Sequence, residues 1–227
     1  MRWLQRAGVA ACAWLFVHAA APAADSAPWQ LVKEDAATDT RVWLRERVGE
    51  ASEFRATTRL AAHLGALAAV LLDDKHTQDW VYRARESVVL ESDGPTRGVT
   101  MVVTDMPWPL QDRESIVAWE LKQDPRTLAV TLVGRSVPER LPPNPERVRM
   151  PRFESRWELT PQPGGQVDVV FEGHGNPGGN LALPLLRDFI NQAMWQGPWR
   201  TINALRDMVR RPEFKDATLP FIQEPAR

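Results

Sequence analysis

One short stretch of the chain carries several side chains of metal-binding type. Asp73, Asp74, His76 and Asp79 follow closely on one another, and carboxylate and imidazole groups are common metal ligands. The same cluster arises where an apolar helix ends in polar residues, and the alanine- and leucine-rich tract before it is of that kind. We favour the helix end, so the sequence predicts no metal site and no cofactor.

The other residues of catalytic type form no recognisable motif. His174 lies with Glu172 on one face of a predicted strand, where a solvated pair is expected. Serines such as Ser87 and Ser115 have no base close to them in the sequence. The chain has no HExxH motif, cysteine pair or phosphate-binding glycine loop. These observations predict a protein that is not an enzyme, although side chains distant in sequence can still form a triad in the fold.

Tryptophan is abundant, with ten residues in a chain of 227 that has a single tyrosine. Trp119 and Trp157 lie on predicted strands, where packing is the usual role of an indole. Trp108 lies in a loop between Pro107 and Pro109. It either folds over the mouth of a pocket or is buried beneath its neighbours. The tryptophans favour the binding of an apolar molecule.

The N-terminus predicts export from the cytoplasm. Arg2 and Arg6 precede an uncharged, largely apolar run, and Ala21-Pro22-Ala23 has the small residues of a cleavage site. We expect residues 1–23 to be a signal peptide, residues 24–214 to form one domain and residues 215–227 to form an irregular tail. The protein is then periplasmic or secreted.

Charge and cysteine content narrow the class of partner. Cleavage removes Cys12, the only cysteine, so disulfide chemistry is not expected. It also takes Arg2 and Arg6 from the 28 basic residues, which leaves 26 against 29 acidic residues and a formal charge of −3. This balance gives no reason to expect a nucleic-acid partner. A chain of this length suits one domain with a sizeable core, and we expect a monomer.

Short runs of alternating apolar and polar residues are typical of antiparallel strands with one wet face. Three such runs precede an alanine- and leucine-rich tract that predicts a helix at Ala62–Leu72. A short helical turn is predicted at Thr77–Tyr82. The first three strands are predicted at Trp29–Ala36, Arg41–Val48 and Ser52–Leu60. Six more are predicted at Arg85–Ser92, Val99–Asp105, Ile116–Lys122, Thr127–Val133, Phe153–Leu159 and Val167–Glu172.

A long amphipathic helix of roughly twenty-five residues is predicted from Pro184 onward. Its apolar face consists of Leu186, Ile190, Ala193, Met194, Gly197, Thr201, Ala204, Leu205 and Met208. The small residues in the middle of this face either let the helix lie close on a sheet or leave an unfilled volume beneath it. Strands followed by one long helix predict an α+β helix-grip fold, in which a curved antiparallel sheet wraps around the C-terminal helix.

Two tracts resemble the START family, the lipid-transfer domains related to steroidogenic acute regulatory protein. Met106-Pro107-Trp108-Pro109-Leu110-Gln111-Asp112-Arg113-Glu114 resembles the proline-aromatic-proline segment of the family, followed by an arginine and an acid that open a strand. Asn176-Pro177-Gly178-Gly179, Leu183-Pro184 and the helix with Gly197-Pro198 resemble the lead-in and the lid helix. Glu114 stands where the family usually has aspartate.

The resemblance implies a START-like lipid-binding domain that encloses one hydrophobic molecule, such as a sterol or phospholipid, for transfer or sensing. The predicted signal peptide implies that this takes place outside the cytoplasm. Transient membrane contact is also implied, with the terminal helix as a gate and Gly197-Pro198 as its flex point. Glu46, Arg113 and Asn191 are candidate head-group partners, although a structural ion pair explains Arg113 equally well. The predicted ligand-binding residues are Trp108, Arg113, Trp119, Leu186, Ile190, Ala193, Met194, Gly197 and Thr201.

Two alternatives remain open at the level of sequence. A cyclase or hydrolase could act on an apolar substrate in the same cavity, and it would need an acid or base in the cavity lining. A binding module could fill the cavity with its own side chains and recruit a protein partner through its surface. A cavity smaller than a lipid tail would favour this second alternative.

Overall fold

A computed structural model of the chain describes residues 27–46, 52–180 and 184–226. The predicted signal peptide, residues 1–23, and Cys12 lie outside the described residues. In the described part of the chain, no helix is both long and apolar enough to cross a bilayer.

The order of elements agrees with the sequence-based prediction: three strands, a helical region, further strands and one long helix. The strands are β1 (Gln30–Asp35), β2 (Thr40–Arg45), β3 (Glu53–Ala61), β4 (Ala84–Ser92), β5 (Arg97–Thr104), β6 (Arg113–Gln123), β7 (Val130–Ser136), β8 (Val148–Arg149), β9 (Arg152–Gln162) and β10 (Gln166–Asn176). The α-helices are α1 (Leu64–Leu72), α2 (Thr77–Trp80) and α3 (Pro184–Met208).

Two local differences from the prediction have physical causes. Strand β7 begins at Val130 rather than Thr127, because the preceding residues form a turn. In that turn Asp124 Oδ1 accepts hydrogen bonds from the backbone N–H groups of Arg126 and Thr127, and Leu128 has a φ of 59°. The two-residue strand β8 was not predicted, since a run of two residues has no periodicity to detect.

The strands form one open sheet in the order β1-β2-β3-β10-β9-β7-β6-β5-β4, in which these neighbours pair antiparallel. Strand β8 lies off this path and pairs parallel with β6. The sheet is curved around α3, and the predicted helix-grip fold is confirmed.

The main core lies beneath the C-terminal half of α3. Ile202, Leu205 and Met208 are completely or almost completely buried, and they pack with α1 and with the inner side chains of β2, β3, β9 and β10. Within the described residues, α3 packs chiefly on β2 and β3 and also meets α1 and α2. Strands β5, β6 and β7 lie farther from α3, so that side of the sheet faces an internal space.

The chain after α3 contains turns but neither helix nor strand through residue 226. Phe214 is buried in the main core, and Phe221 and Ile222 pack against its edge. Both carboxylate oxygens of Glu224 accept hydrogen bonds from the first backbone N–H groups of α1, at Leu64 (3.1 Å) and Gly65 (2.7 Å). The tail thereby caps a helix N-terminus that its own residues leave uncapped.

Candidate functional site

A cavity of about 400 Å³, partly open to solvent, separates α3 from the strands on the β4 side of the sheet. This volume lies within the range of about 300–1,000 Å³ that is usual for small-molecule sites. A cavity of this size does not favour the binding module filled by its own side chains. Its wall is mainly apolar, with contributions from β5, β6, β9, β10, α2 and α3.

The helix α3 divides into two parts near Pro198. The N-terminal part lines the cavity, whereas the C-terminal part packs into the core. Pro198 carries no N–H group, so the helical hydrogen bond to the carbonyl four residues earlier is missing at this junction. The cavity residues of α3 are Phe189, Ile190, Ala193, Met194, Gly197, Pro198 and Thr201.

Aromatic rings form a continuous section of the cavity wall. The rings of Trp157 and Phe171, on the paired strands β9 and β10, stack with centroids 3.9 Å apart and planes at 7°. Trp80 lies 5.8 Å from Trp157, and Phe54 meets Phe171 edge-on at 4.8 Å. All four line the cavity, and stacked rings hold such a wall rigid.

Arg113, the first residue of β6, is the cation of the cavity wall and is only 4% exposed. Its Nη1 donates to the carbonyl of Gln111 (2.5 Å) and its Nε donates to the carbonyl of Pro177 (3.3 Å). Among the described residues, no carboxylate forms an ion pair with Arg113. Burial lowers the pKa of its guanidinium, and the nearby charge of Asp112 raises it in part.

The two tracts that resemble START motifs meet at this guanidinium. Pro177, from the Asn176-Pro177-Gly178-Gly179 turn, accepts the Nε hydrogen bond. Gly179 has a φ of 74°, and a Cβ at this position would lie 3.4 Å from Arg113 Nη2. A side chain at position 179 would therefore be strained and would crowd the guanidinium.

Glu114, the next residue of β6, points to the opposite side of the sheet and has its charge balanced there. Its Oε1 accepts hydrogen bonds from Arg149 Nε (2.9 Å) and Nη2 (2.7 Å). Arg149 also donates to backbone carbonyls of the connection between β7 and β8, including that of Leu141 (2.9 Å). Glu114 is 3% exposed, so this ion pair is largely removed from water.

A second polar group lies farther along the cavity. Asp74, in the turn between α1 and α2, accepts hydrogen bonds at Oδ1 from Ser87 (3.3 Å) and Thr100 (3.4 Å). Trp119 Nε1 donates to Thr100 Oγ1 (3.0 Å). All four side chains belong to residues that line the cavity. Burial raises the pKa of Asp74, the two hydroxyl hydrogen bonds lower it, and the charge of Asp73 raises it slightly.

Seven of the nine predicted ligand-binding residues line the cavity. They are Arg113, Trp119, Ile190, Ala193, Met194, Gly197 and Thr201. Leu186 is 1% exposed and is not among the lining residues. Ala204, predicted on the same helix face, packs against the core instead.

Trp108 does not take either of the positions that the sequence suggested, since its side chain is 90% exposed. It lies in a tight turn, in which the Leu110 N–H donates to the Pro107 carbonyl (2.9 Å). The turn carries the indole outward at its tip. Met106, two residues earlier, is buried and lines the cavity, so this turn adjoins the cavity wall.

The remaining polar candidates are separated from one another. Asp73 pairs with His76 (2.5 Å) and Asp79 pairs with Arg211 (2.6 Å), while Asp74 faces the cavity. No group of three or more potential metal ligands occurs among the described residues. Glu46 and Asn191, the other two candidate head-group partners, are exposed and are not among the cavity-lining residues.

His174 is buried, at 9% exposure, and the expectation of a solvated pair with Glu172 is wrong. Its Nε2 lies 3.9 Å from a carboxylate oxygen of Glu154 on β9, whereas Glu172 pairs with Arg55 on β3 (2.5 Å). Each residue is held by a neighbouring strand, and a single strand sequence does not show which strand will be its neighbour.

The sequence did not single out Asp74, Trp80 or Phe171 as site residues. For Phe171, the alternation along β10 indicated an inward position but gave no sign that a space remained opposite it. Asp74 stood in a polar cluster, and only the pairing of β4 with β5 brings Ser87 and Thr100 to it.

Comparison with known proteins agrees with the fold and the motifs. A STAR-related lipid transfer protein from Xanthomonas axonopodis is 28% identical, with a TM-score of 0.71 over 81% of this chain and 99% of that chain. Human STARD10 is 16% identical, with a TM-score of 0.68 over 82% of this chain and 75% of that chain. The predicted resemblance to the START family is confirmed.

Human StAR-related lipid transfer protein 5 is 17% identical, with a TM-score of 0.65 over 80% of this chain and 86% of that chain. An uncharacterised protein of Pseudomonas aeruginosa is 25% identical over 214 residues, which cover 93% of this chain and all of that protein. No protein-family model matches the chain.

Proposed function

We propose that this START-type domain binds one lipid-like molecule in its cavity and carries or senses it outside the cytoplasm, without catalysing a reaction. The similarity to STAR-related lipid transfer proteins supports lipid binding in general. The N-terminal sequence supports the extracytoplasmic setting. Apolar surface removed from water contributes roughly 25 cal/mol per Å², so an aromatic and aliphatic cavity can hold a lipid with few polar contacts.

The position of Arg113 is the observation that carries the proposal. A guanidinium that is 4% exposed and donates only to backbone carbonyls among the described residues keeps, beside an apolar space, a positive charge that the nearby Asp112 offsets only in part. A buried charge without an ion-pair partner costs free energy, and a bound anion lowers that cost. We infer that the ligand has an acidic head group, a carboxylate or phosphate, that receives hydrogen bonds from Arg113.

The exposed indole of Trp108 fits transient contact with a membrane surface. Tryptophan is favoured at membrane interfaces because its ring is apolar and its N–H is polar. The turn that carries Trp108 adjoins the lining residue Met106 and lies in the chain shortly before Arg113. A lipid leaving a bilayer at this turn would therefore meet the cationic end of the cavity first.

Native mass spectrometry of gently purified protein, followed by incubation with anionic lipid vesicles, tests the proposal directly. We expect one lipid-like adduct per chain, either at purification or after incubation. Trp108→Ala should slow lipid uptake from vesicles several-fold, while leaving the melting temperature and equilibrium affinity unchanged, because the side chain is 90% exposed. Protein that is consistently empty and takes up no lipid would contradict the proposal.

A cyclase or hydrolase is the alternative, and the cavity does contain ionisable side chains such as Asp74 and Tyr82. The two functions differ in the fate of the ligand. A binding protein should release its ligand with an unchanged mass after prolonged incubation, whereas an enzyme would release a product of different mass. Recovery of a product that disappears with Asp74→Asn would favour the enzyme.

A further inference from the structure

The cavity has a second polar end, and its chemistry differs from that of Arg113. The Oδ1 atom of Asp74 accepts hydrogen bonds from Ser87 and Thr100, and Trp119 fixes the hydroxyl of Thr100 by donating to it at 3.0 Å. In the described part of the chain, no arginine, lysine or histidine forms an ion pair with Asp74. Its Oδ2 atom accepts none of the hydrogen bonds described, so the carboxylate keeps capacity for a donor.

The local chain directs Asp74 inward and its neighbour Asp73 away. Asp73 is bound by His76 Nδ1 (2.5 Å) and by the backbone N–H of Lys75 (2.8 Å). The Asp74 carbonyl accepts a weak hydrogen bond from the Thr77 N–H (3.5 Å). This turn holds the Asp74 carboxylate between α1 and the inner side of β4 and β5. The carboxylate is therefore a fixed part of the cavity wall.

The two polar ends are separated by four residues along β6, because Thr100, which donates to Asp74, pairs with Val117 of that strand. Arg113 and Val117 are the first and fifth residues of this strand, and at about 3.3 Å per residue they are about 13 Å apart along it. Ser115 lines the cavity between them, and Val102 lines it on the adjacent strand. An extended lipid with its acidic head at Arg113 would therefore bring the far end of its chain towards Asp74.

We propose that the ligand carries a second polar group, a hydroxyl at the end remote from its acidic head, and that Asp74 accepts a hydrogen bond from it. A methyl end placed there would take water from the carboxylate and give no hydrogen bond in return. A hydroxyl at that end would take the place of the lost water, because it donates a hydrogen bond to the carboxylate. This inference rests on the proposed lipid-binding function and narrows its ligand to bipolar hydroxy acids.

The test compares two fatty acids of equal chain length, decanoic acid and omega-hydroxydecanoic acid, whose extended chains match the separation of the two polar ends, by displacement of a fluorescent fatty acid from the full mature protein. We expect the hydroxy acid to bind about tenfold more tightly, the magnitude of one hydrogen bond to a charged group. Asp74→Leu, which replaces the carboxylate with an apolar group, should remove or reverse this preference. Asp79→Leu is the matched control, since Asp79 pairs with Arg211 outside the cavity, and it should retain the preference.

The outcomes separate this inference from the function on which it rests. Equal affinity of the native protein for the two acids would overturn the hydroxyl assignment and leave lipid binding intact. A preference that persists in Asp74→Leu would overturn the role of Asp74. If neither acid binds the native protein, both the acidic-lipid function and this inference are wrong.

Discussion

Two arginines close to the start of β6 are both largely buried, but they have different partners. Arg149 pairs with Glu114 at 2.7 Å on one side of the sheet and also donates to carbonyls of a neighbouring connection. Arg113, on the cavity side, has two backbone carbonyls and no carboxylate among the described residues. Residues 113 and 114 are neighbours on one strand, yet Glu114 has a close ion-pair partner and Arg113 has none among the described residues.

This difference distinguishes a structural ion pair, Arg149 with Glu114, from a candidate ligand-binding group, Arg113. A buried pair with both partners present is self-sufficient, and its loss is felt in folding, because the remaining charge is left without a partner. A buried cation beside an apolar cavity has no paired anion, and a bound anionic ligand would supply one. Changes near Arg149 should therefore alter stability, and changes near Arg113 should alter binding.

Removing Arg149 should have the largest effect on stability. Arg149→Ala leaves Glu114, which is 3% exposed, with the longer contact to Arg147 at 3.6 Å as its one remaining ion pair among the described residues. We expect a loss of about 3 kcal/mol in the free energy of unfolding, measured by urea denaturation. Glu114→Gln combined with Arg149→Met should recover much of that loss. A stability equal to that of the native protein in the single variant would contradict the structural role.

Removing Arg113 should weaken lipid binding strongly and change stability little. Arg113→Met keeps the aliphatic length but loses the charge, so the affinity for an anionic lipid should fall by about 10- to 100-fold, or roughly 1.5–3 kcal/mol. The free energy of unfolding of the lipid-free protein should change by less than about 1 kcal/mol, because a desolvated charge and two carbonyl hydrogen bonds disappear together. Isothermal titration and urea denaturation measure the two quantities.

Substitutions that fill the cavity should reduce lipid uptake without removing a charged group. In Gly197→Leu the Cβ meets only the Tyr82 ring at 3.5 Å, so the added side chain can extend into the cavity, and Ala193→Phe adds bulk on the same face. Both substitutions should reduce lipid uptake by about tenfold. They should lower the free energy of unfolding by less than about 1.5 kcal/mol. Gly197→Ala is the matched control and should bind normally. Variants that fail to fold would show that these small residues serve close packing.

The smallest expected effect is the change with pH in the contribution of Asp74 to stability. Burial raises the pKa of Asp74 in the folded protein, so the folded state holds this proton at higher pH than the unfolded state does. The contribution of Asp74 to stability therefore decreases as pH rises above its ordinary value of 3.8 towards the folded pKa. Asp74→Asn lacks this titration. Its melting temperature, relative to the native protein, should rise by a few degrees or less across that window, and a constant difference would contradict the raised pKa.

The fold was largely predictable because strand alternation and the long amphipathic helix are local patterns. The sequence also indicated most of the α3 side of the site, since Ile190, Ala193, Met194 and Gly197 repeat with helical spacing. The partners of Arg113 were not predictable, because Pro177 lies 64 residues away in the chain. The outward position of Trp108 depends on a turn whose direction the sequence does not specify.

The central claim is that Arg113, which forms no ion pair with a described carboxylate, binds the acidic head of an anionic lipid. Native mass spectrometry of the native protein and Arg113→Met, each incubated with the same palmitic acid vesicles, tests it most directly. We predict a single fatty-acid adduct on the native protein and little or none on a variant that is folded and equally stable. Equal occupancy of the two proteins would contradict the claim.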